Sequence, residues 1–221
     1  MIVEKSPNPM RFVAYDTRRY DFAALLRTAL GVGDLASLRA DQVGEEGWSI
    51  YRVMEQTASY RTWWALTEGE AFADLYAAFV RDVVAPLFDE AILVQSCPTP
   101  RIVYADQTGE PRFHRDCDYG HSLLETNFQV ALTPCVGTNA MWIESAPNRG
   151  DYHPAEYGPG EMLVFNGASL SHGAMPNTTG RSRVSFDFRA IRKTDATPSH
   201  RDEAGKVGKA ARGAHVFTDF V

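Results

Sequence analysis

The sequence is poor in three things, and each shortage removes a class of protein. Cysteine occurs three times in 221 residues, at Cys97, Cys117 and Cys135, with no C-x-x-C pair. An odd, widely spaced set argues against a disulfide framework and a structural zinc knot. A reducing, cytoplasmic setting is then the simplest expectation. No apolar run reaches the ~18 residues of a membrane span, and the polar, proline-bearing first ten residues lack the apolar centre of a signal peptide. An excess of positive charge is also missing: 22 Lys and Arg against 28 Asp and Glu leave a net charge of −6. That is a weak basis for gripping a nucleic-acid backbone. The expected partner is a small molecule rather than a nucleic acid or a membrane, and oligomeric state is not legible.

What is present is an ordinary globular composition, 44% hydrophobic and 23% charged, long enough to bury a substantial core. Length favours one elaborated domain over two. Its parts read as a mixed, helical flank over 1–95, a β-rich core over 96–191 and a polar tail over 192–221. In the flank, 12–15 reads as a short strand. Phe22, Leu25, Leu26 and Ala29 have helical spacing, and Gly31-Val32-Gly33 ends that helix. A loop runs through Gly44 and Gly47, and alternation from Trp48 to Val53 suggests a weak strand. The clearest helix covers 68–88. Thr67 and Glu70 have capping-box spacing, Phe72, Leu75, Tyr76, Phe79, Val80, Val83 and Leu87 mark one face, and Pro86 ends or bends it. This stripe reads as core packing.

From 96 onward the period drops to two. Segments 101–105, 126–133, 140–145, 161–166 and 183–190 read as strands between Gly, Pro and Asn, which predicts a sandwich or barrel. In the tail, 192–213 reads as loop or weak helix, and 216–220 is apolar enough to dock on the body.

The chemistry sits among these strands. Among the six histidines, His114 has a carboxylate two residues away, in His114-Arg115-Asp116. In extended chain, residues i and i+2 point to one side, so both can reach one ion. His172, after the apolar strand 161–165, is the best third ligand. Two histidines and one carboxylate leave coordination positions open and suit non-haem Fe(II), which must also take O2 and a co-substrate. H-x-D alone is weak evidence, and Asp118 is a rival that would need a turn to converge. Three further features raise its weight. Arg183, Ser185, Asp187 and Arg189 share one strand face, either solvent-exposed or lining a cavity where a guanidinium grips a carboxylate. Asn127 and Gln129 share the polar face of another strand. The turn Gly158-Pro159-Gly160-Glu161 reverses the chain ahead of His172.

The segments FHRDCDYGHS, ETNFQVALTP, TNAMWIES, GEMLVFNG and HGAMPNTTGRSRVSFDFR resemble the Fe(II)- and 2-oxoglutarate-dependent oxygenases. More narrowly, they resemble the StrG-like group of streptomycin and related natural-product pathways. The resemblance spans roughly 101–191. It implies a mainly β fold with flanking helices, a double-stranded β-helix (jelly roll, cupin-like). It implies Fe(II) on His114, Asp116 and His172. The 2-oxoglutarate carboxylate would sit on Arg183 with Ser185, Arg181 competing, and Asn127 would contact the co-substrate. O2 would be the second co-substrate. The implied reaction is hydroxylation of a small polar intermediate of amino-acid, guanidino or aminocyclitol type, with release of succinate and CO2. Arg115, Trp142, Glu144 and His121 are the candidate substrate residues. Glu144 and Asp151 would pair with an amine or guanidine, or be solvated carboxylates, and Trp142 would wall the pocket or pack in the core. The alternative is a metal-dependent cupin isomerase, epimerase or dioxygenase without 2-oxoglutarate, in which His121 joins the other three as a fourth ligand.

Overall fold

The computed structural model describes residues 10–41, 49–105, 107, 111–201 and 217–220. Ten strands and five α-helices are found among them. The strands are β1 (Met10–Ala14), β2 (Ile92–Gln95), β3 (Thr99–Val103), β4 (Thr126–Ala131), β5 (Met141–Ile143), β6 (His153–Ala155), β7 (Glu161–Phe165), β8 (His172–Ala174), β9 (Arg183–Arg192) and β10 (Phe217–Phe220). The helices are α1 (Phe22–Leu30), α2 (Ile50–Gln56), α3 (Ala58–Thr67), α4 (Glu70–Phe79) and α5 (Pro198–Arg201).

β9 is the spine. Its Arg183–Asp187 part pairs with β3, its Ala190–Arg192 part pairs with β2, and its other edge pairs antiparallel with β4. β7 and β1 extend the sheet beyond β4, and β10 extends it beyond β2. A second, three-stranded sheet has the order β6-β5-β8. Two facing sheets with helices outside are the expected mainly β, double-stranded β-helix architecture.

The period-two pattern of β9 divides its environment. Val184, Phe186 and Phe188 face the helices, where Phe186 meets Phe22, Trp63 and Phe72 at ring-centroid distances of 4.9, 6.2 and 5.6 Å. Burying each such side chain contributes roughly 1.5–3 kcal/mol. The indole N–H of Trp63 donates to the Ser185 carbonyl at 3.3 Å, locking α3 to the spine. The opposite face of β9 turns toward the second sheet and builds the site.

Several expectations in the flank need correction. The strand expected from Trp48 is helix α2 instead; Trp48 itself, with Gly44 and Gly47, lies outside the described residues. Ser49 caps α2, its hydroxyl accepting from the Arg52 N–H, and Ile50, Val53 and Met54 are buried at i, i+3, i+4 spacing. Thr67 does not open the next helix. It ends α3, with its hydroxyl donating to the Trp64 carbonyl at 2.7 Å, and α4 starts after Gly69 with no side-chain cap. The expected 68–88 helix continues past α4 as a π turn over Val80–Val84 and a tight turn over Ala85–Leu87. Pro86 lacks the N–H that would bond back to residue 82. α3, β2, β6 and β8 have no counterpart in the sequence reading. In the tail, β10 docks on β2 as expected, and residues 202–216 lie outside the described ones.

Candidate metal and co-substrate site

His114 and His172 come together through the backbone. They form an antiparallel bridge in which each N–H donates to the other's carbonyl at 3.0 Å. His172 lies on β8, which also pairs with β5. Gly173 permits this closeness: a Cβ there would stand 2.7 Å from the Arg112 carbonyl oxygen. After His114 the chain turns into a short 3-10 segment, Asp116–Tyr119, and the Asp116 N–H donates to the Gly167 carbonyl at 2.8 Å. The extended geometry expected across His114-x-Asp116 thus ends at Asp116.

The three side chains offer one ligand atom each, all within 4.8 Å of one another, and no other group of His, Cys, Asp and Glu does so among the described residues. Oδ1 of Asp116 lies 3.5 Å from His114 Nε2 and 3.8 Å from His172 Nε2. The imidazole Nδ1 atoms point elsewhere, to the carbonyls of Arg112 (3.4 Å) and Leu170 (3.0 Å). A carbonyl only accepts, so each Nδ1 carries a proton and each Nε2 is turned toward Asp116. Burial lowers the His172 pKa and keeps that ring neutral. Burial would raise the Asp116 carboxyl, but hydrogen bonding to His114 and the charge and hydrogen bonds of Arg189 hold it well below the usual carboxylate range. Two imidazoles with Nε2 turned inward and one ionised carboxylate are a donor set that suits a divalent ion.

Asp116 is fixed from behind. Its Oδ2 accepts from Asn127 Nδ2 at 2.7 Å and from Arg189 at 2.7 Å (Nη2) and 3.1 Å (Nε). Asn127 Oδ1 in turn accepts the Gly167 N–H at 2.9 Å. Behind Arg189 stands Glu125, buried, 3.7 Å from Nε, with His121 at 2.9 Å and His200 at 3.1 Å on its two oxygens. The sequence reading gave Arg189 no role, although its place on the Arg183 face was visible.

A cavity of about 270 Å³ opens beside the triad, lined from both sheets. Arg183 borders it and is only 2% exposed. Its Nε and Nη1, and Ser185 Oγ nearby on the same strand face, have no hydrogen-bond partner among the described residues. Buried polar groups without partners cost roughly 1–3 kcal/mol each, more when charged. Unspent donors beside a cavity therefore fit an anionic ligand, and a dicarboxylate reaching toward the triad meets that need. Asp187, between Ser185 and Arg189 on that face, is taken up by Arg101 through contacts of 2.9–3.2 Å.

Other candidate residues are placed differently. Arg181 is exposed and pairs with Asp34 at 2.9 Å, so of these two arginines only Arg183 lines the cavity. Asp118 pairs with Arg115 at the surface. Asn127 lines the cavity, yet both ends of its amide are used on Asp116 and Gly167, so it orients Asp116. None of Arg115, Trp142, Glu144 and His121 lines the cavity. Arg115 bonds Asn148 and Asp118. Trp142 donates to the Gly137 carbonyl. Glu144 is buried and already engaged, accepting the N–H groups of Ser171 at 2.7 Å and Gly150 at 3.1 Å. Asp151 is likewise used by Ser145. His121 sits on Glu125, outside the ligand cluster, so the four-ligand cupin arrangement is not formed.

No family model matches the chain. It is 31% identical over 188 residues to the streptomycin biosynthesis protein StrG of Streptomyces griseus, covering 85% of this chain and 87% of that one. Among solved structures, EctD from S. alaskensis with bound Fe has the same fold, with a TM-score of 0.54 at 16% identity over 85% of this chain and 74% of that one. The non-haem monooxygenase ThoJ, in a nickel complex, is a more distant likeness, with a TM-score of 0.46 at 18% identity over 84% of this chain and 74% of that one. With the StrG likeness running over most of both chains, this protein belongs to the StrG family.

Proposed function

We propose that the whole chain acts as one oxygenase domain that hydroxylates a small polar biosynthetic intermediate. The intermediate would be of amino-acid, guanidino or aminocyclitol type. The reaction would consume O2 and 2-oxoglutarate and release succinate and CO2. One observation carries the reading: a two-histidine, one-carboxylate triad shares its cavity with a buried guanidinium whose Nε and Nη1 are unspent. The StrG likeness supports a place in natural-product biosynthesis.

Fe(II) with 2-oxoglutarate and O2 would supply the oxidising power for an unactivated C–H bond. The chain supplies geometry. His114, Asp116 and His172 would hold the ion from one face and leave the other to co-substrate and O2. Arg183 and Ser185 would take the distal carboxylate of 2-oxoglutarate. Arg189 and Asn127 would keep Asp116 turned so that Oδ1 alone faces the ion. The two sheets exclude water from most of the cavity wall, which strengthens each of these charge contacts.

The test is optical and anaerobic. Fe(II)-loaded protein should develop a visible absorption band when 2-oxoglutarate is added. A folded, iron-loaded protein that gives no band would overturn the reading. A band unchanged in both Arg183→Ala and His172→Ala would overturn the residue roles.

A further inference from the structure

The cavity wall carries an uneven set of charges. Arg101, Arg112, Arg183 and Arg189 line it, against Asp116 and Asp187. Both carboxylates are already engaged, Asp116 by Arg189 and Asp187 by Arg101. Arg183 matches the co-substrate. Arg112 remains. It lies at the solvent-exposed end of the cavity, its guanidinium 5.9 Å from the ring centroid of Tyr119, itself 57% exposed. Among the described residues it pairs with no carboxylate.

Adding the bound groups does not cancel this charge. A divalent ion and a dianionic co-substrate neutralise each other, so the wall keeps its positive excess. A cationic substrate would find no free carboxylate in the cavity. The two acids that would suit an amine, Glu144 and Asp151, are spent on Ser171, Gly150 and Ser145 instead. At about 270 Å³ the cavity is also slightly below the usual ligand-pocket range of roughly 300–1,000 Å³. Co-substrate takes part of it, so a substrate must leave one end at the opening, beside Arg112 and Tyr119.

Resting on the oxygenase reading, we propose that the substrate bears an anionic group, a carboxylate or a phosphate ester, which docks on Arg112 at the cavity mouth. A guanidinium pairs well with either, through two parallel N–H donors. The Tyr119 ring beneath keeps that fork oriented while leaving its donors free. This selects acid-bearing members of the proposed substrate range over purely basic aminocyclitols.

The experiment uses calorimetry under argon on Fe(II)-loaded protein saturated with 2-oxoglutarate. Gluconate, glucose 6-phosphate and glucosamine are titrated in turn, and the two acids separate carboxylate from phosphate recognition. At least one acid should bind, and glucosamine should not. Arg112→Gln should weaken that acid about tenfold or more, the scale of one lost charge-assisted pair. Arg112→Glu should reverse the ranking in favour of glucosamine. The inference is overturned if neither acid binds, if glucosamine binds as well as either, or if Arg112→Gln leaves the binding acid unchanged. The visible band is recorded in the same samples. Its absence would sink the oxygenase reading, while the Arg112 dependence, repeated in an Arg183→Gln background without 2-oxoglutarate, still decides the anion site.

Discussion

Nη2 of Arg189 stands 2.7 Å from Oδ2 of Asp116, on the side of the carboxylate away from His114 and His172. Together with Asn127 it takes up Oδ2 and leaves Oδ1 toward the histidines. Partners behind a metal ligand typically matter by about 10–100-fold in affinity. Asn127→Ala removes one such partner and also leaves the Gly167 N–H unpaired. Anaerobic Fe(II) or Co(II) titration should show metal binding weakened by about tenfold or more. Unfolding in urea should show a loss of roughly 1–3 kcal/mol. Unchanged metal affinity would remove the positioning role.

Gly167 gives a sharper version of the same test. A Cβ at this position would lie 2.8 Å from Asn127 Nδ2 and 2.9 Å from its Cγ. Gly167→Ala therefore displaces the Asn127 amide without touching a ligand or a charge. The expected result is weaker metal binding in a folded protein, read by the same titration against circular dichroism. Gly173→Ala meets backbone instead, the Arg112 carbonyl at 2.7 Å. Backbone yields less readily, so this variant should lose stability, by roughly 1–3 kcal/mol as overpacked sites do.

Arg183→Lys tests the fork rather than the charge. Lysine keeps the positive charge but cannot present two parallel donors. Metal affinity should stay near that of the unmodified protein, since Arg183 does not touch the triad's ligand atoms. Affinity for 2-oxoglutarate should fall, by roughly 2–5 kcal/mol if Arg183→Met is used to remove the charge altogether. Titrating the visible band with 2-oxoglutarate separates the two effects. A lysine variant with unaltered co-substrate affinity would argue against bidentate recognition.

Acid should loosen the far side of this network first. Burial pushes the Glu125 carboxyl up, but hydrogen bonds and charge from His121, with the Ser122 N–H and His200, bring it below its ordinary value of 4.5. A lowered folded pKa means that the unfolded chain binds more protons in this window. The stabilisation is therefore present above pH 4.5 and is lost as pH falls through the lower folded value. Urea midpoints measured between about pH 6 and 3 should drop. Glu125→Gln should lower stability at pH 6 and flatten that slope. An unaltered slope would show that Glu125 does not carry the acid sensitivity.

The strands that build the cavity were legible because β9 alternates polar and apolar from Arg183 to Ala190. Arg183, Ser185, Asp187 and Arg189 had to share a face, and only its surroundings were open. Short elements were not legible. β8 holds a metal-ligand candidate yet spans three residues, too few for any period to register. Its existence depends on pairing with Ile143 and His114, distant in sequence. Glu144 misled for a similar reason. Its partner Ser171 lies 27 residues away, and nothing local reveals that the carboxylate is already committed. Arg189 was hidden by the opposite bias, since an arginine near a site reads as a ligand grip and not as a counterweight to a ligand's own charge.

His200 belongs to the outermost described helix, α5, and its Nε2 reaches Glu125. Thr197 fixes the other nitrogen of that ring at 2.7 Å. Asp116 is then only two side chains further on, through Glu125 and Arg189. The periphery of the fold thus has a short lever on its centre. Sequence drift at the C-terminal edge can retune the Asp116 carboxylate without altering one residue of the triad or of the cavity wall.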